Sequence, residues 1–185
     1  MIALSLSEIA QITGGRLDHV ENPDAQVTGF VEFDSRKVTP GGLFVALPGA
    51  RVDGHDFAAT AIEKGAVAVL AARPVGVPAV IVEPRGRVEG DGANADIYAN
   101  DEDGSAAAVV HALSALARAV TQRLAQHDLN IVGVTGSAGK TSTKDLIATI
   151  FRSVGETVAP PGSFNNEIGL PYTALRCDEH TQYLV

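Results

Sequence analysis

The chain has 185 residues, 45% of them hydrophobic and 19% charged, with a formal net charge of −8. These proportions exclude a disordered chain and leave room for one domain or two small ones. The acidic balance argues against a nucleic-acid backbone as partner. A single cysteine, Cys177, excludes a disulfide framework and fits a reducing compartment, with the thiol expected buried or half-buried. No basic-then-apolar leader is present and no apolar run reaches about 18 residues, so a cytoplasmic protein without membrane insertion is expected.

Ser5-Leu6-Ser7-Glu8 spells a capping box, with Ser5 as N-cap and Glu8 closing the pair; Ile9 and Ile12 give the helix an apolar side and Gly14-Gly15 end it. Val27 to Phe33 reads as a strand running into Asp34-Ser35-Arg36. A turn at Thr39-Pro40-Gly41-Gly42 leads to a second strand, Leu43 to Leu47, stopped by Pro48-Gly49. Asp56 or His55 can cap a helix from Phe57 to Lys64, with Gly65 at its C-terminal end. Ala66 to Leu70 and Ala79 to Val82 are short apolar runs, as expected of strands covered on both faces.

Residues 88 to 103 carry Glu89, Asp91, Asp96, Asp101, Glu102 and Asp103 without a lysine or arginine. The glycines and asparagines among them mark a solvated loop rather than a metal site. A long helix follows, from about Ser105 to Leu124, with Val109, Leu113, Leu116, Val120 and Leu124 on one stripe. His55 and His111 lack partners at ligand spacing, and His111, outside that stripe, is expected exposed.

The densest chemistry lies at Val132-Gly133-Val134-Thr135-Gly136-Ser137-Ala138-Gly139-Lys140-Thr141-Ser142. An apolar run, Ile131 to Val134, precedes a glycine loop, a lysine, hydroxyls and then a helical pattern. That is the order of a strand, a phosphate-cradling loop and a helix N-terminus. Gly136 and Gly139 allow the backbone amides of residues Gly136, Ser137, Ala138, Gly139, Lys140, Thr141 and Ser142 to face a phosphate. Lys140 reaches the β- and γ-phosphates, and the hydroxyl of Thr141 (or Ser142) serves Mg²⁺. The strict motif has a glycine where Val134 stands. A helix from about Thr141 to Arg152 is expected to turn Leu146, Ile147, Ile150 and Phe151 inward. A strand from Glu156 to Ala159 and another beginning at Tyr183 complete the pattern.

Only about 55 residues follow Ile131, fewer than a phosphate-loop domain needs for a sheet covered on both faces. An acid after a neighbouring strand, commonly needed for Mg²⁺, is also missing. The expectation is the N-terminal part of a longer protein, inactive by itself.

Together these stretches resemble the Mur ligases, the amide-forming enzymes of peptidoglycan precursor synthesis. Thr135-Gly136-Ser137-Ala138-Gly139-Lys140-Thr141 is similar to that family's ATP loop, which also lacks the early glycine. Asp34-Ser35-Arg36, Gly41 to Gly49 and Asp53-Gly54-His55-Asp56-Phe57 resemble its UDP-recognition domain. Asn165-Asn166-Glu167-Ile168-Gly169-Leu170-Pro171 resembles the branch that joins D-alanyl-D-alanine to a UDP-N-acetylmuramoyl-tripeptide.

The resemblance implies an α/β fold: a UDP-substrate-recognition domain over 1–85, an acidic insertion over 86–104 and a connecting helix over 105–130. The start of a central ATP-binding domain with a mainly parallel sheet covers 131–185. It also implies ATP and Mg²⁺ as cofactors and an acyl-phosphate route, with Lys140 and Thr141 at the reacting phosphate. Ser35 and Arg36 are candidates for the UDP moiety, Arg36 alternatively forming a surface ion pair with Asp34 or Glu32. Asn165, Asn166 and Glu167 are candidates for substrate or nucleotide, or alternatively form a turn. A monomer is expected. Another Mur-type ligase, a folylpolyglutamate-type ligase, a small kinase and a non-catalytic UDP-binding module are the alternatives, the folylpolyglutamate-type ligase and the kinase disfavoured by the domain ahead of the loop.

Overall fold

Ser5 caps helix α1 (Leu6–Thr13) by the capping box its sequence spells. The Ser5 hydroxyl accepts from the Glu8 N–H at 3.2 Å, and the Glu8 carboxylate accepts from the Ser5 N–H at 2.9 Å. Gly14, with φ of 67°, closes the helix in the left-handed conformation. The computed structural model describes residues 1–49, 52–84, 86, 98, 101–164 and 166–185. Strand β1 (Leu4–Ser5) pairs antiparallel with β3 (Gln26–Val27).

A five-stranded sheet organises the first half. β4 (Val31–Glu32), β5 (Leu43–Val45), β6 (Ala68–Ala71) and β7 (Ala79–Ile81) run parallel in that order, and β2 (Arg16–Asp18) adds antiparallel to β7. Side chains alternate across it, as the pleat requires. Leu43, Val45, Leu70 and Val80 join the core beneath α1. Phe44, Val69, Ala71 and Ile81 face the other way, onto Ala58 and Ala61 of α2 (Ala58–Glu63). Both faces are covered, which explains why β6 and β7 read as unbroken apolar runs.

Three local expectations need correction. The single strand over Val27–Phe33 is two strands in two different sheets. Between them Thr28 and Gly29 donate to Gly41 O at 3.1 and 2.8 Å. A Cβ on Gly29 would stand 2.7 Å from Gly42 N, so this crossing requires glycine. The helix expected over Phe57–Lys64 begins as a 3₁₀ turn, Gly54–Phe57, capped by Asp53 rather than Asp56 or His55; the Asp53 carboxylate accepts from the His55 N–H at 3.0 Å. Strand β2 has no counterpart in the sequence reading, because a short edge strand with polar Arg16 and Asp18 shows no apolar run.

Helix α3 (Ser105–Ala125) buries the expected stripe: Val109, Leu113, Leu116, Val120 and Leu124 are each at most 5% exposed. Its N-terminus is satisfied by Asp101, whose carboxylate oxygens accept from the Ala106 and Ala107 N–H groups at 2.8 and 2.9 Å. The helix packs against α1 on one side and α5 (Gly169–Ala174) on the other. One core cluster therefore runs from Leu4 and Ile9 through α3 to Leu175, Cys177 and Leu184.

The second half holds a three-stranded parallel sheet, β8 (Asn130–Ile131), β10 (Tyr183–Leu184) and β9 (Thr157–Val158), in that spatial order. Helix α4 (Lys140–Arg152) connects β8 to β9. Its inward face differs from expectation. Leu146 and Ile150 are 67% and 63% exposed, whereas Lys144 and Ala148 are buried and Ile147 and Phe151 half-buried. Residues 144, 147, 148 and 151 form one helical face, fixed by Phe151 stacking on Tyr183 at 4.3 Å between ring centroids. Leu146 and Ile150 follow the buried Lys144 and Ala148 by two positions, about 200° around the helix, and so point away from that face. No helix among the described residues is long and apolar enough to cross a membrane.

Candidate nucleotide site

Strand β8 delivers the chain into the loop 132–139, which turns directly into α4. The turn depends on two glycines: Gly136 has φ of 152° and Gly139 has φ of 77°. Gly139 is the N-cap, and no side chain among the described residues caps the helix. The first intrahelical bond runs from Thr143 N–H to Gly139 O at 2.9 Å. The amides of Lys140, Thr141 and Ser142 therefore project from the helix end without an intrahelical acceptor, at the positive end of the helix dipole. Lys140 folds back over the loop and donates to Gly136 O at 2.6 Å. Ser137, Ala138, Thr141 and Ser142 are exposed. Unpartnered amides, an ammonium and hydroxyls on one exposed turn form a donor set for phosphate.

Lys140, Thr141 and Lys144 open onto a cleft of about 550 Å³, whose other walls include Pro160, Gly162 and Phe164 from the β9–α5 loop and Ala117 from α3. The helix dipole and the lysine thus sit at one end of an otherwise largely apolar groove.

The Asn165-Asn166-Glu167 segment is distributed differently. Asn165 lies outside the described residues. Asn166 uses its side-chain carbonyl to accept from Gly169 N–H at 2.8 Å, so it shapes the start of α5. Glu167 accepts a hydrogen bond from the Tyr98 hydroxyl and lines a second cavity of about 620 Å³ with Glu83 and His111. Burial and that carboxylate push the Tyr98 phenol well above its usual range. The two cavities share Ser114, Leu170 and Pro171 as a common wall.

Ser35 and Arg36 follow β4. Arg36 is paired with Asp34, its Nη2 and Nε donating to the carboxylate at 2.8 and 2.9 Å, and its side chain is 83% exposed. Those bonds hold the Asp34 carboxyl down at about 2. Ser35 is buried. Of the two pairings open for Arg36, the Asp34 one is present; Glu32 turns inward to Arg176 at 3.1 Å and to the Tyr172 hydroxyl at 3.2 Å. The Arg176 guanidinium also donates to that hydroxyl and lies over the Tyr172 and Phe30 rings.

Beside this network a third cavity, about 500 Å³, is lined by Phe33, Lys37, Pro161, Ser163, Phe164 and Tyr172. It joins the Asp34–Arg36 loop to the β9–α5 loop, and its cation is Lys37. Lys144 and Glu32 escape a sequence reading because Pro160 and Gly162, and Tyr172 and Arg176, to which they bond, are far away in the chain; only the spacing of Lys144, four residues after Lys140, hints at a shared helical face.

His55 is a satisfied core residue. Its Nε2 accepts from Ala72 N–H at 3.1 Å, which leaves Nδ1–H to donate to Asp53 at 2.6 Å. Burial raises the Asp53 carboxyl, but the His55 amide and ring together with Arg73 outweigh it and bring it to about 2. Cys177 is buried, and burial drives its thiol up to about 12. Among the described residues no group of three or more His, Cys, Asp or Glu side chains is placed to hold a metal.

Residues 28–145 match the profile described as "Mur ligase family, catalytic domain", and residues 134–185 match "Mur ligase middle domain". The chain belongs to the Mur ligase family. It is 56% identical over its whole length to the UDP-N-acetylmuramoyl-tripeptide–D-alanyl-D-alanine ligase of Mycobacterium leprae, and 36% identical to the ligase of that name from Escherichia coli. It spans 36% and 34% of those two relatives, about a third of their length. Among solved structures, a crystal structure of MurF from Acinetobacter baumannii covers 98% of this chain at a TM-score of 0.74 and 26% identity, matched over 35% of its own length. MurF ligase from Thermotoga maritima in complex with ADP covers 85% at a TM-score of 0.59 and 29% identity, over 31% of its length.

Proposed function

We propose that this chain supplies the substrate-recognition and phosphate-loop portions of an ATP-dependent ligase that joins D-alanyl-D-alanine to a UDP-N-acetylmuramoyl-tripeptide in the cytoplasm. The observation that carries the nucleotide part is the turn of exposed, unpartnered amides at the start of α4 with Lys140 folded over it. The specific substrates rest on relatives: the match to the D-alanyl-D-alanine ligase of Mycobacterium leprae is 56% identical over all of the chain. A match to a diaminopimelate-adding ligase from Geobacillus thermodenitrificans is 37% identical over 80% of it.

The chemistry is a carbon–nitrogen ligation with ATP converted to ADP and phosphate. The tripeptide carboxylate attacks the γ-phosphorus and ADP leaves, giving an acyl phosphate. The dipeptide amine then attacks the acyl carbon, phosphate leaves and the nitrogen loses a proton. Activation is needed because a carboxylate is a poor electrophile at neutral pH. Phosphoryl transfer is mainly positioning and charge neutralisation.

In this chain the amides from Gly136 to Ser142 hold the phosphate oxygens and Lys140 balances the charge that develops between β- and γ-phosphates. The exposed Thr141 hydroxyl at the helix start is an oxygen ligand and would hold Mg²⁺, which supplies charge neutralisation at the phosphates. Ser35, Arg36 and Lys37 stand on the loop assigned to the UDP moiety. The nucleotide fits Lys140 and Thr141 more directly than it fits Asn166 or Glu167, whose side chains are engaged with Gly169 and Tyr98.

Calorimetry on the 185-residue chain tests this reading with Mg·ADP and with UDP-N-acetylmuramoyl-tripeptide. Both should bind, and Lys140→Ala should abolish the first and spare the second. Absence of Mg·ADP binding to the wild-type chain, or tight binding of a folate instead of the UDP ligand, would overturn it.

A further inference from the structure

Lys144 is the buried lysine of α4, 8% exposed, one turn beyond Lys140 and on the wall of the same cleft. Its Nζ donates to Pro160 O at 2.5 Å and to Gly162 O at 3.1 Å, and lies 2.8 Å from an Asp145 carboxylate oxygen. Two hydrogen bonds and an ion pair thus offset the desolvation of the charge. The acceptors are informative. Pro160 and Pro161 have no amide hydrogen, so that part of the β9–α5 loop can be tied down only through its carbonyls. An ammonium from outside the loop is suited to gather two of them at once.

We infer that Lys144 is a positioning residue for the nucleotide cleft: it pins the Pro160–Gly162 turn to the phosphate-loop helix and so fixes the loop that carries Phe164 on the cleft wall and Asn166 at the start of α5. The inference rests on the nucleotide reading given above and extends it to a residue that touches no phosphate. The connection continues beyond the cleft. Phe164 packs edge-on against Tyr172 at 5.8 Å, and Tyr172 donates to Glu32 on β4. Lys144 therefore stands at one end of a contiguous set of contacts from α4 to the strand that precedes Asp34-Ser35-Arg36.

The test compares amide hydrogen exchange and Mg·ADP calorimetry in the wild-type chain, Lys144→Met and Lys144→Gln. Lys144→Met should speed exchange at Gly169 and Leu170, whose amides are held by Asn166, by at least about tenfold while α3 and β6 keep wild-type rates. It should weaken Mg·ADP by about tenfold, and Lys144→Gln, which retains two N–H donors, should recover part of both losses. Unchanged exchange at Gly169 and Leu170, or an equal rise across α3 and β6, overturns the positioning role. A loosened loop with unchanged Mg·ADP affinity overturns its service to the cleft. In the wild-type chain the Lys144 ammonium protons should give an exchange-protected ¹⁵N signal; its absence refutes the pin without any variant. Failure of the wild-type chain to bind Mg·ADP would sink the nucleotide reading alone, since exchange and the ammonium signal test the pin separately.

Discussion

Glu32 and Arg176 stand 144 positions apart and meet at 3.1 Å, with the Glu32 side chain 8% exposed. One lies on β4 and the other just beyond α5, so the pair bridges the sheet of the first half to the helix of the second. Arg176→Met should leave a buried carboxylate with the Tyr172 hydroxyl as its one remaining donor among the described residues, costing about 2–4 kcal/mol. A thermal melt should show a fall of about 4–16 °C for a chain of this size. An unchanged melting temperature would show that the bridge is not needed for stability.

Gly139 is the second position to probe. Its φ of 77° is left-handed, and no atom stands within 4 Å of where a Cβ would sit. Gly139→Val should therefore act through backbone strain rather than a clash, at about 1–2 kcal/mol. Because the strain falls on the loop that aims the α4 amides, Mg·ADP affinity should drop by at least about tenfold. Calorimetry and a melt on the same variant separate the two effects.

Opposite sides of α4 and α3 should answer differently to mutation. Leu146→Ser removes a side chain that is 67% exposed and should change stability by less than about 0.5 kcal/mol. Leu113→Ala opens a cavity in a position with 0% exposure and should cost about 3 kcal/mol. Urea titrations would measure both, and a large loss for Leu146→Ser would mean that α4 is packed differently.

Asp53 makes a pH prediction. Its carboxyl is held at about 2, below the ordinary aspartate value, so the charged form is favoured in the folded chain. The stability it contributes is present above pH 4 and fades as pH falls towards 2. Asp53→Asn should thus lower the melting temperature most at pH 7, and the gap from wild type should narrow between pH 4 and pH 2. A gap that stays constant with pH would contradict the role given to the charge.

The parts of this fold legible in the sequence are those governed by local chemistry. The Ser5–Glu8 capping box, the left-handed Gly14, the α3 stripe and the glycine loop before Lys140 each announce themselves through residues close together in the chain. Less was legible where a distant partner decides. Nothing near Gly29 shows that Gly41 and Gly42 will press against it and divide a strand. The apolar residues of α4 outnumber Lys144, yet Phe151 stacking on Tyr183 and the carbonyls of Pro160 and Gly162 turn the lysine inward. At the candidate site the phosphate-loop residues could be named from their order, whereas the hydrogen bonds that occupy Asn166 and Glu167 depend on Gly169 and Tyr98.

The order of the small parallel sheet carries a kinetic consequence. β10 lies between β8 and β9, so neither earlier strand has a neighbour until Tyr183 and Leu184 arrive. During synthesis the five-stranded sheet can close while β8, and the glycine loop it feeds, still waits for its partner. Such late, long-range pairing is slow and leaves strand edges open in the interval. Within these 185 residues the nucleotide loop should therefore become rigid later than the five-stranded sheet.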